Sequence, residues 1–191
     1  MAIPTVSAVN PYDIPKSMTR EQLEYWILFG ICVANKPAKI TEQKIQKFLA
    51  LAGGETPFKS VRRLMAAGEL SSAVKDARFG QYGRITEAFR QAVDLDLDKI
   101  SVEALESVKG IGPKTARMIM LYYDPKADCV PLDTHVLKFL NKRGYARIPK
   151  STPPAGPKYR ELEQLFQHEA LKAGKTVREL DTEVWLSYAK I

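Results

Sequence analysis

The sequence has very little of what a metal centre, a disulfide framework or a membrane span requires. Its 191 residues include only two cysteines and two histidines, which is too few for a disulfide scaffold or a clustered metal site. No apolar run reaches the roughly 20 residues that cross a bilayer, and residues 1–4 do not open a signal peptide. We therefore expect no metal, no cofactor, no membrane partner and no secretion.

Patterns typical of β-strands are also missing, because the apolar residues recur at helical spacing along nearly the whole chain. Capping boxes, in which Thr precedes Gln or Glu by three residues, mark two helix starts, at Thr19 and at Thr176. Other helices are predicted over 41–52, from Thr56-Pro57 onward, after residues 80–83, which we interpret as a loop, and over 158–173. The sequence thus predicts an all-α protein.

Positive charge is in excess, and one segment concentrates it. The formal net charge is +7, and residues 134–160 contain no acid. The bases in this segment include Lys138, Lys142, Arg143, Lys150 and Lys158. A soluble protein can be basic without any functional reason, but a stripe of one sign favours a polyanionic partner whose phosphates it can neutralise.

The most specific pattern is V-K-G-I-G-P-K over residues 108–114, which stands between two segments of helical periodicity. Two glycines one residue apart allow a tight reversal, and Pro113 suits the first turn of the second helix. Ile111 would be the apolar residue that joins the two helices. The pattern predicts a helix-hairpin-helix motif at about residues 102–124, whose free backbone N–H groups can bind a phosphate without reading sequence.

Lys114 lies in the first turn of the second hairpin helix, and Asp133 follows nineteen positions later (133 − 114), just before Thr134 and His135. Together these residues resemble the helix-hairpin-helix (HhH-GPD) DNA glycosylase superfamily, which includes endonuclease III and 8-oxoguanine DNA glycosylase. The residues that carry the resemblance are Val108, Gly110, Ile111, Gly112 and Lys114, then Leu132, Asp133, Thr134 and His135. Lys109, where the family often has proline, and Pro113 depart from its pattern without touching the catalytic pair.

The resemblance implies a fold, an activity and a set of site residues. Lys114 and Asp133 would be the catalytic nucleophile and the essential carboxylate. The DNA-binding residues would be Lys109, Gly110, Ile111, Gly112, Thr115, His135 and Asn35, the last as the amide that fills the gap left by the flipped base. Two helical subdomains would flank a cleft, one over 19–127 and the other formed by 1–18 plus 128–191. The similarity is to branches of the superfamily without an iron–sulfur cluster.

Each catalytic assignment has a simpler alternative. At the positive end of a helix and buried in a cleft, Lys114 is favoured as a neutral amine that can attack a sugar and form a Schiff base, but a lysine there can also just contact phosphate. Asp133 fits an ordinary N-cap, and that geometry is compatible with a catalytic carboxylate. His135 is either structural or a phosphate donor.

We therefore expect a base-excision DNA glycosylase with associated apurinic/apyrimidinic (AP) lyase activity. It would act as a monomer on double-stranded DNA that contains a damaged or modified base, which it must flip out of the stack. Such an enzyme would work in the cytoplasm, associated with the nucleoid, or in the nucleus. The alternatives are an enzyme of the same fold that lacks lyase activity or acts on modified bases, and a non-enzymatic helix-hairpin-helix DNA-binding module.

Overall fold

Every regular element in the computed structural model is helical across the residues that it describes, which are 13–34, 36–53 and 56–188. The α-helices are α1 Arg20–Val33, α2 Ala38–Ala52, α3 Pro57–Ala66, α4 Leu70–Asp76, α5 Tyr82–Ala92, α6 Val102–Glu106, α7 Pro113–Tyr123, α8 Thr134–Lys142, α9 Pro157–Lys172 and α10 Val177–Tyr188, with a short 3-10 helix at Leu97–Lys99. The predicted all-α class is confirmed. None of these helices is long and apolar enough to cross a membrane.

Side chains cap the helices where the sequence predicted. Thr19 accepts a hydrogen bond from the backbone N–H of Gln22 (3.2 Å), and the Gln22 side chain accepts one from the Thr19 N–H (2.9 Å). Thr176 and Glu179 make the same reciprocal pair before α10, at 3.2 and 2.8 Å. Both capping boxes are confirmed, so these two helix starts are determined locally.

Two predicted helix starts differ from the structure. α2 begins at Ala38 and not at Thr41. Pro37 occupies the N-cap, and the Thr41 hydroxyl donates back to the Pro37 carbonyl (3.0 Å) within the first turn, so it does not cap the helix. α5 begins at Tyr82, inside the predicted loop, directly after Gln81 in the left-handed conformation (φ 45°).

The chain divides into two compact units, of which the first is Met1–Ile111. Its described core includes three phenylalanines, Phe48, Phe79 and Phe89, whose ring centroids lie 5.4–5.9 Å apart. The buried carboxylate of Glu24 on α1 accepts a hydrogen bond from the Phe58 N–H (2.9 Å) in the first turn of α3. Apolar packing and this one buried polar contact therefore join the helices of the unit.

The second unit is Gly112–Ile191 and contains α7 to α10. Phe139 on α8 and Phe166 on α9 pack edge to face at 5.6 Å, and Tyr159 is fully buried. The unit boundary falls between Ile111 and Gly112, whereas the sequence predicted subdomains divided near residue 127. That predicted arrangement, with chain ends 1–18 joining 128–191 beside a cleft, stays a prediction.

Candidate active site

The hairpin turn begins at the end of the first unit. Ile111 is buried (4% exposed), as expected of the residue that anchors the turn, and its N–H donates to the Val108 carbonyl (2.9 Å). Lys109 and Gly110 are exposed. Gly110 has φ +104°, a conformation that L side chains rarely adopt. The turn therefore requires glycine at position 110.

Two side chains of α5 hold this turn, and neither role was predicted from the sequence. The Gln91 side-chain oxygen accepts a hydrogen bond from the Lys109 N–H (2.7 Å). The Arg84 guanidinium donates to the Gly110 carbonyl and to the Ile31 carbonyl, both at 2.9 Å. Arg84 and Gln91 are seven residues apart, so they lie on one face of the helix. Their spacing was visible in the sequence, but their backbone partners were not.

Gly112 behaves differently from Gly110, which corrects the expectation that both glycines serve the reversal. It is exposed, with φ −91° and ψ 174°, which is extended backbone open to any residue. A Cβ added there would meet no described atom within 4 Å. Gly112 is the N-cap of α7, no side chain in the described part of the chain caps that helix, and Pro113 is its first residue. Backbone donors at the start of α7 are thus accessible to an anion.

Lys114 and Thr115 follow in the first turn of α7, and both are half-buried. The Lys114 Nζ lies 3.7 Å from the Met118 sulfur one turn along the helix. Thioether sulfur is only a weak acceptor. Lys114 lies in the same compact unit as Asp133, so the two residues assigned from the resemblance belong to one packed group of helices.

Asp133 is the N-cap of α8, as predicted. Its Oδ1 accepts hydrogen bonds from the N–H groups of His135 (2.8 Å) and Val136 (2.9 Å). Both bonds fall on the same oxygen, and Oδ2 accepts none from the described residues. The carboxylate is therefore held in place by backbone donors while one of its oxygens stays available for chemistry.

A buried network fixes the loop that leads to Asp133. The Arg117 Nε on α7 and the Val130 N–H both donate to Glu163 Oε1 on α9, at 3.0 and 2.8 Å. The Tyr159 hydroxyl donates to the Val130 carbonyl (2.9 Å) and accepts from the Leu132 N–H (3.1 Å). Arg117 is three residues after Lys114, so this network connects the helix of the lysine with the loop of the aspartate.

A third acid, Asp181 on α10, was not identified from the sequence. It is 7% exposed, and its Oδ2 accepts a hydrogen bond from the Tyr122 hydroxyl (2.9 Å) on α7. The pKa of Asp181 is raised to about 7, chiefly by burial and also by the charge of Asp133, while the Tyr122 hydrogen bond and Lys114 act in the opposite direction. Asp181 is thus close enough to both assigned catalytic residues to interact with them electrostatically.

The remaining assigned residues have different surroundings. The half-buried His135 ring stacks on Tyr188 with centroids 5.4 Å apart, and its buried Nδ1 has no hydrogen-bond partner among the described residues. Asn35 lies outside the residues that the structure describes. Across 13–34, 36–53 and 56–188, no three His, Cys, Asp or Glu side chains come together as a metal site would require.

The positive charge of the acid-free segment 134–160 is partly neutralised by acidic residues of α9. Arg143 pairs with Glu169 (3.2 Å) and Lys158 with Glu161 (2.9 Å), both on α9. Lys142 is exposed and lies over the Tyr188 ring, 4.8 Å from its centroid. This surface is therefore less positive than the acid-free segment predicted, because α9 contributes acidic side chains to it.

Comparisons with known proteins agree with this architecture. Residues 99–122 match the family model of the helix-hairpin-helix motif. The crystal structure of Methanocaldococcus jannaschii 8-oxoguanine glycosylase/lyase in complex with 15mer DNA containing 8-oxoguanine is similar, with a TM-score of 0.64 and 21% identity over 91% of this chain and 83% of that one. No curated protein matches the sequence.

The chain therefore contains a helix-hairpin-helix motif in an all-α fold like that of a DNA glycosylase/lyase. The predicted resemblance is confirmed at the level of motif and fold. The roles of Lys114, Asp133 and the DNA-binding residues stay predictions, because a fold can carry many functions and a function must be argued from its site.

Proposed function

We propose that the protein is a DNA glycosylase with AP lyase activity that excises a damaged or modified base. The observation that carries this proposal is the pairing, within one compact unit, of Lys114 in the first turn of α7 with Asp133 at the N-cap of α8.

The two residues have complementary roles in this reaction. The neutral Lys114 amine attacks the anomeric carbon of the flipped nucleotide, and the N-glycosidic bond breaks so that its electron pair leaves with the base, which takes up a proton. Asp133 stabilises positive charge on the sugar through Oδ2 and accepts a proton from the attacking amine. Ring opening, in which the ring oxygen takes up a proton, then gives a Schiff base between Lys114 and the sugar. Loss of the C2′ proton with β-elimination expels the 3′-phosphate and so breaks the strand.

The start of α7, the helix that carries Lys114, also binds the DNA. The accessible backbone donors at the start of α7 bind a phosphate of double-stranded DNA, and the exposed Gly112 lets the phosphate approach closely. The protein acts as a monomer. It works in the compartment that contains the genomic DNA, which is the cytoplasm, in association with the nucleoid, or the nucleus. Because the structurally similar glycosylase/lyase was crystallised with 8-oxoguanine DNA, this lesion is the first substrate to test.

Borohydride trapping tests the covalent step. We expect the wild-type protein to be trapped on duplex DNA that contains an abasic site or 8-oxoguanine, and Lys114→Gln to abolish trapping. Lys126→Gln, at an exposed position of the same unit, is the matched control and should trap normally. Trapping that persists in Lys114→Gln would move the nucleophile elsewhere. Binding without any trapping in the wild type would favour a monofunctional enzyme or a binding module.

A further inference from the structure

One side of α8 carries a row of basic side chains that the proposed chemistry does not use. His135, Lys138 and Lys142 follow one another at spacings of three and four residues, so they lie along the same face of the helix. From 135 to 142 the row extends over about 10 Å of helix axis. It begins next to Asp133, whose Oδ1 accepts a hydrogen bond from the His135 N–H (2.8 Å). We call these three residues the α8 basic row.

An aromatic ring of α10 supports the α8 basic row. α10 packs against α8 within the second unit, and Tyr188 is its last residue. The His135 ring stacks on the Tyr188 ring, with centroids 5.4 Å apart and an angle of 11° between the planes. The Lys142 Nζ lies 4.8 Å from the Tyr188 centroid, and the Lys138 Nζ lies 6.0 Å from it. Three side chains of one helix face thus converge on a single ring.

The two lysines of the row keep their positive charge unneutralised in the part of the chain that the structure describes. Lys138 and Lys142 are exposed, and their contacts there are with the ring and not with an acid. In contrast, Arg143 and Lys158 of the same acid-free segment each pair with a glutamate of α9. Like charges four residues apart on a helix repel each other, while the face of an aromatic ring attracts both ammonium groups. The ring therefore holds two positive charges close together, where an anion can contact both.

His135 adds a ring N–H donor at one end of the row. Its Nδ1 is buried and has no hydrogen-bond partner among the described residues, so only Nε2 can reach a ligand outside the protein. An imidazole N–H donates to oxygen acceptors such as those of a phosphate. Donors spread over about 10 Å fit a chain of anions better than a single anion, and the phosphates of one DNA strand follow one another at about 3.4 Å of helix axis.

We propose that the α8 basic row is a second phosphate-binding surface, which contacts the backbone of double-stranded DNA, and that Tyr188 is the positioning residue behind it. The identity of the polyanion rests on the proposed function. The start of α7 offers backbone N–H groups to DNA, whereas the row offers charged side chains that release counterions on binding. Contacts of this kind carry no sequence information, so the row binds damaged and undamaged duplexes alike.

The salt dependence of binding to an undamaged duplex tests the two lysines. Fluorescence anisotropy at a series of salt concentrations gives a log–log slope, to which each phosphate contact contributes about 0.9. Lys138→Gln and Lys142→Gln should each reduce its magnitude by about one, and the double variant by about two. Lys158→Gln removes the same charge from a lysine that is paired with Glu161 (2.9 Å) and should leave the slope unchanged. An unchanged slope in the double variant, or an equal loss in Lys158→Gln, would overturn the proposal.

The positioning role of Tyr188 is tested by a pair of substitutions. Tyr188→Phe keeps the ring that His135 and the lysines contact, so it should bind the duplex as tightly as the wild type. Tyr188→Leu removes the ring and should weaken binding by about threefold to tenfold, because the lysine side chains then have to be ordered when DNA binds. Thermal melting confirms that both variants are folded at the temperature of the titration. Full affinity in a folded Tyr188→Leu, or an equal loss in both variants, would exclude positioning by the ring.

Borohydride trapping of the same proteins separates this proposal from the proposed function. If the wild type is trapped and the double lysine variant keeps the full salt slope, the second surface is rejected and the glycosylase proposal stands. If the wild type binds duplex DNA but is never trapped, the glycosylase proposal fails, and the salt slopes still decide whether the row contacts phosphates. A wild type that binds no duplex DNA would overturn both.

Discussion

At the residue scale, the two glycines of the hairpin carry different constraints despite their identical appearance in the motif. Gly110 is constrained by its own backbone (φ +104°), and an added Cβ would lie 3.2 Å from the Arg84 guanidinium. Gly112 is constrained by nothing in the described protein. Under the proposed function, a bound DNA phosphate is what favours a residue without a side chain at this position.

This difference gives a paired prediction. Gly112→Ala should lower the free energy of unfolding by less than about 1 kcal/mol, yet weaken binding to damaged and undamaged duplexes alike, because the methyl group obstructs a phosphate contact that carries no sequence information. Gly110→Ala should instead destabilise the protein by about 1–3 kcal/mol. Thermal melting and fluorescence binding titrations measure both effects. If Gly112→Ala affected only damaged DNA, the hairpin would be reading the lesion.

The structural role of Asp133 and its proposed catalytic role can be separated by one substitution. Asp133→Asn keeps an oxygen that can accept the hydrogen bonds of the His135 and Val136 N–H groups, so stability should fall by only about 1 kcal/mol or less. The negative charge is lost, so single-turnover base release should slow by on the order of 10²-fold or more. A variant that melts much earlier would show a chiefly structural Asp133, and one with the full rate would exclude catalysis by the carboxylate.

At the scale of elements, helices that carry no assigned site residue fix backbone segments next to the assigned residues of their own unit. α5 fixes the hairpin turn through Gln91 and Arg84. α9 fixes the approach to Asp133 through Glu163 and Tyr159. Each contact joins a side chain to a backbone group far away in sequence, so α5 and α9 fix the backbone close to residues assigned from the resemblance.

α9 offers a matched pair of glutamates for testing this positioning. Glu163 and Arg117 are nearly buried, with side chains 12% and 13% exposed, whereas Glu161 and Lys158 are 56% and 38% exposed. Glu163→Gln removes the negative charge next to the nearly buried Arg117 guanidinium and should cost about 2–4 kcal/mol of unfolding free energy. Glu161→Gln should cost less than about 0.5 kcal/mol. Urea denaturation of the two variants measures the difference, and equal effects would contradict the proposed importance of the buried pair.

At the scale of the whole molecule, the pKa of Asp181 links folding to pH. In the unfolded chain this carboxyl has an ordinary pKa near 3.8, and in the folded protein burial raises the pKa to about 7. Between these values the folded state binds more protons than the unfolded state. The contribution of Asp181 to stability is therefore greatest below its unfolded pKa and is lost as pH rises towards 7.

Asp181→Asn removes this dependence, since the amide does not titrate. The unfolding free energy of the variant, measured relative to that of the wild type, should increase between pH 4 and pH 7 by more than about 1 kcal/mol and then level off. Chemical denaturation at a series of pH values gives this difference curve. A flat difference curve would show that Asp181 has the same proton affinity in both states.

Local sequence determined most of the helices and the hairpin, because each depends on interactions within a few residues, although the starts of α2 and α5 were predicted wrongly. The capping boxes at Thr19 and Thr176, the N-cap at Asp133 and the buried Ile111 were predicted and are confirmed. Only the tertiary structure decided what surrounds the site. Arg84 meets Gly110, Glu163 meets Val130 and Asp181 meets Tyr122 across 26, 33 and 59 residues of chain. No periodicity or motif encodes such pairings, since they arise where folded helices bring distant polar groups out of water and into contact.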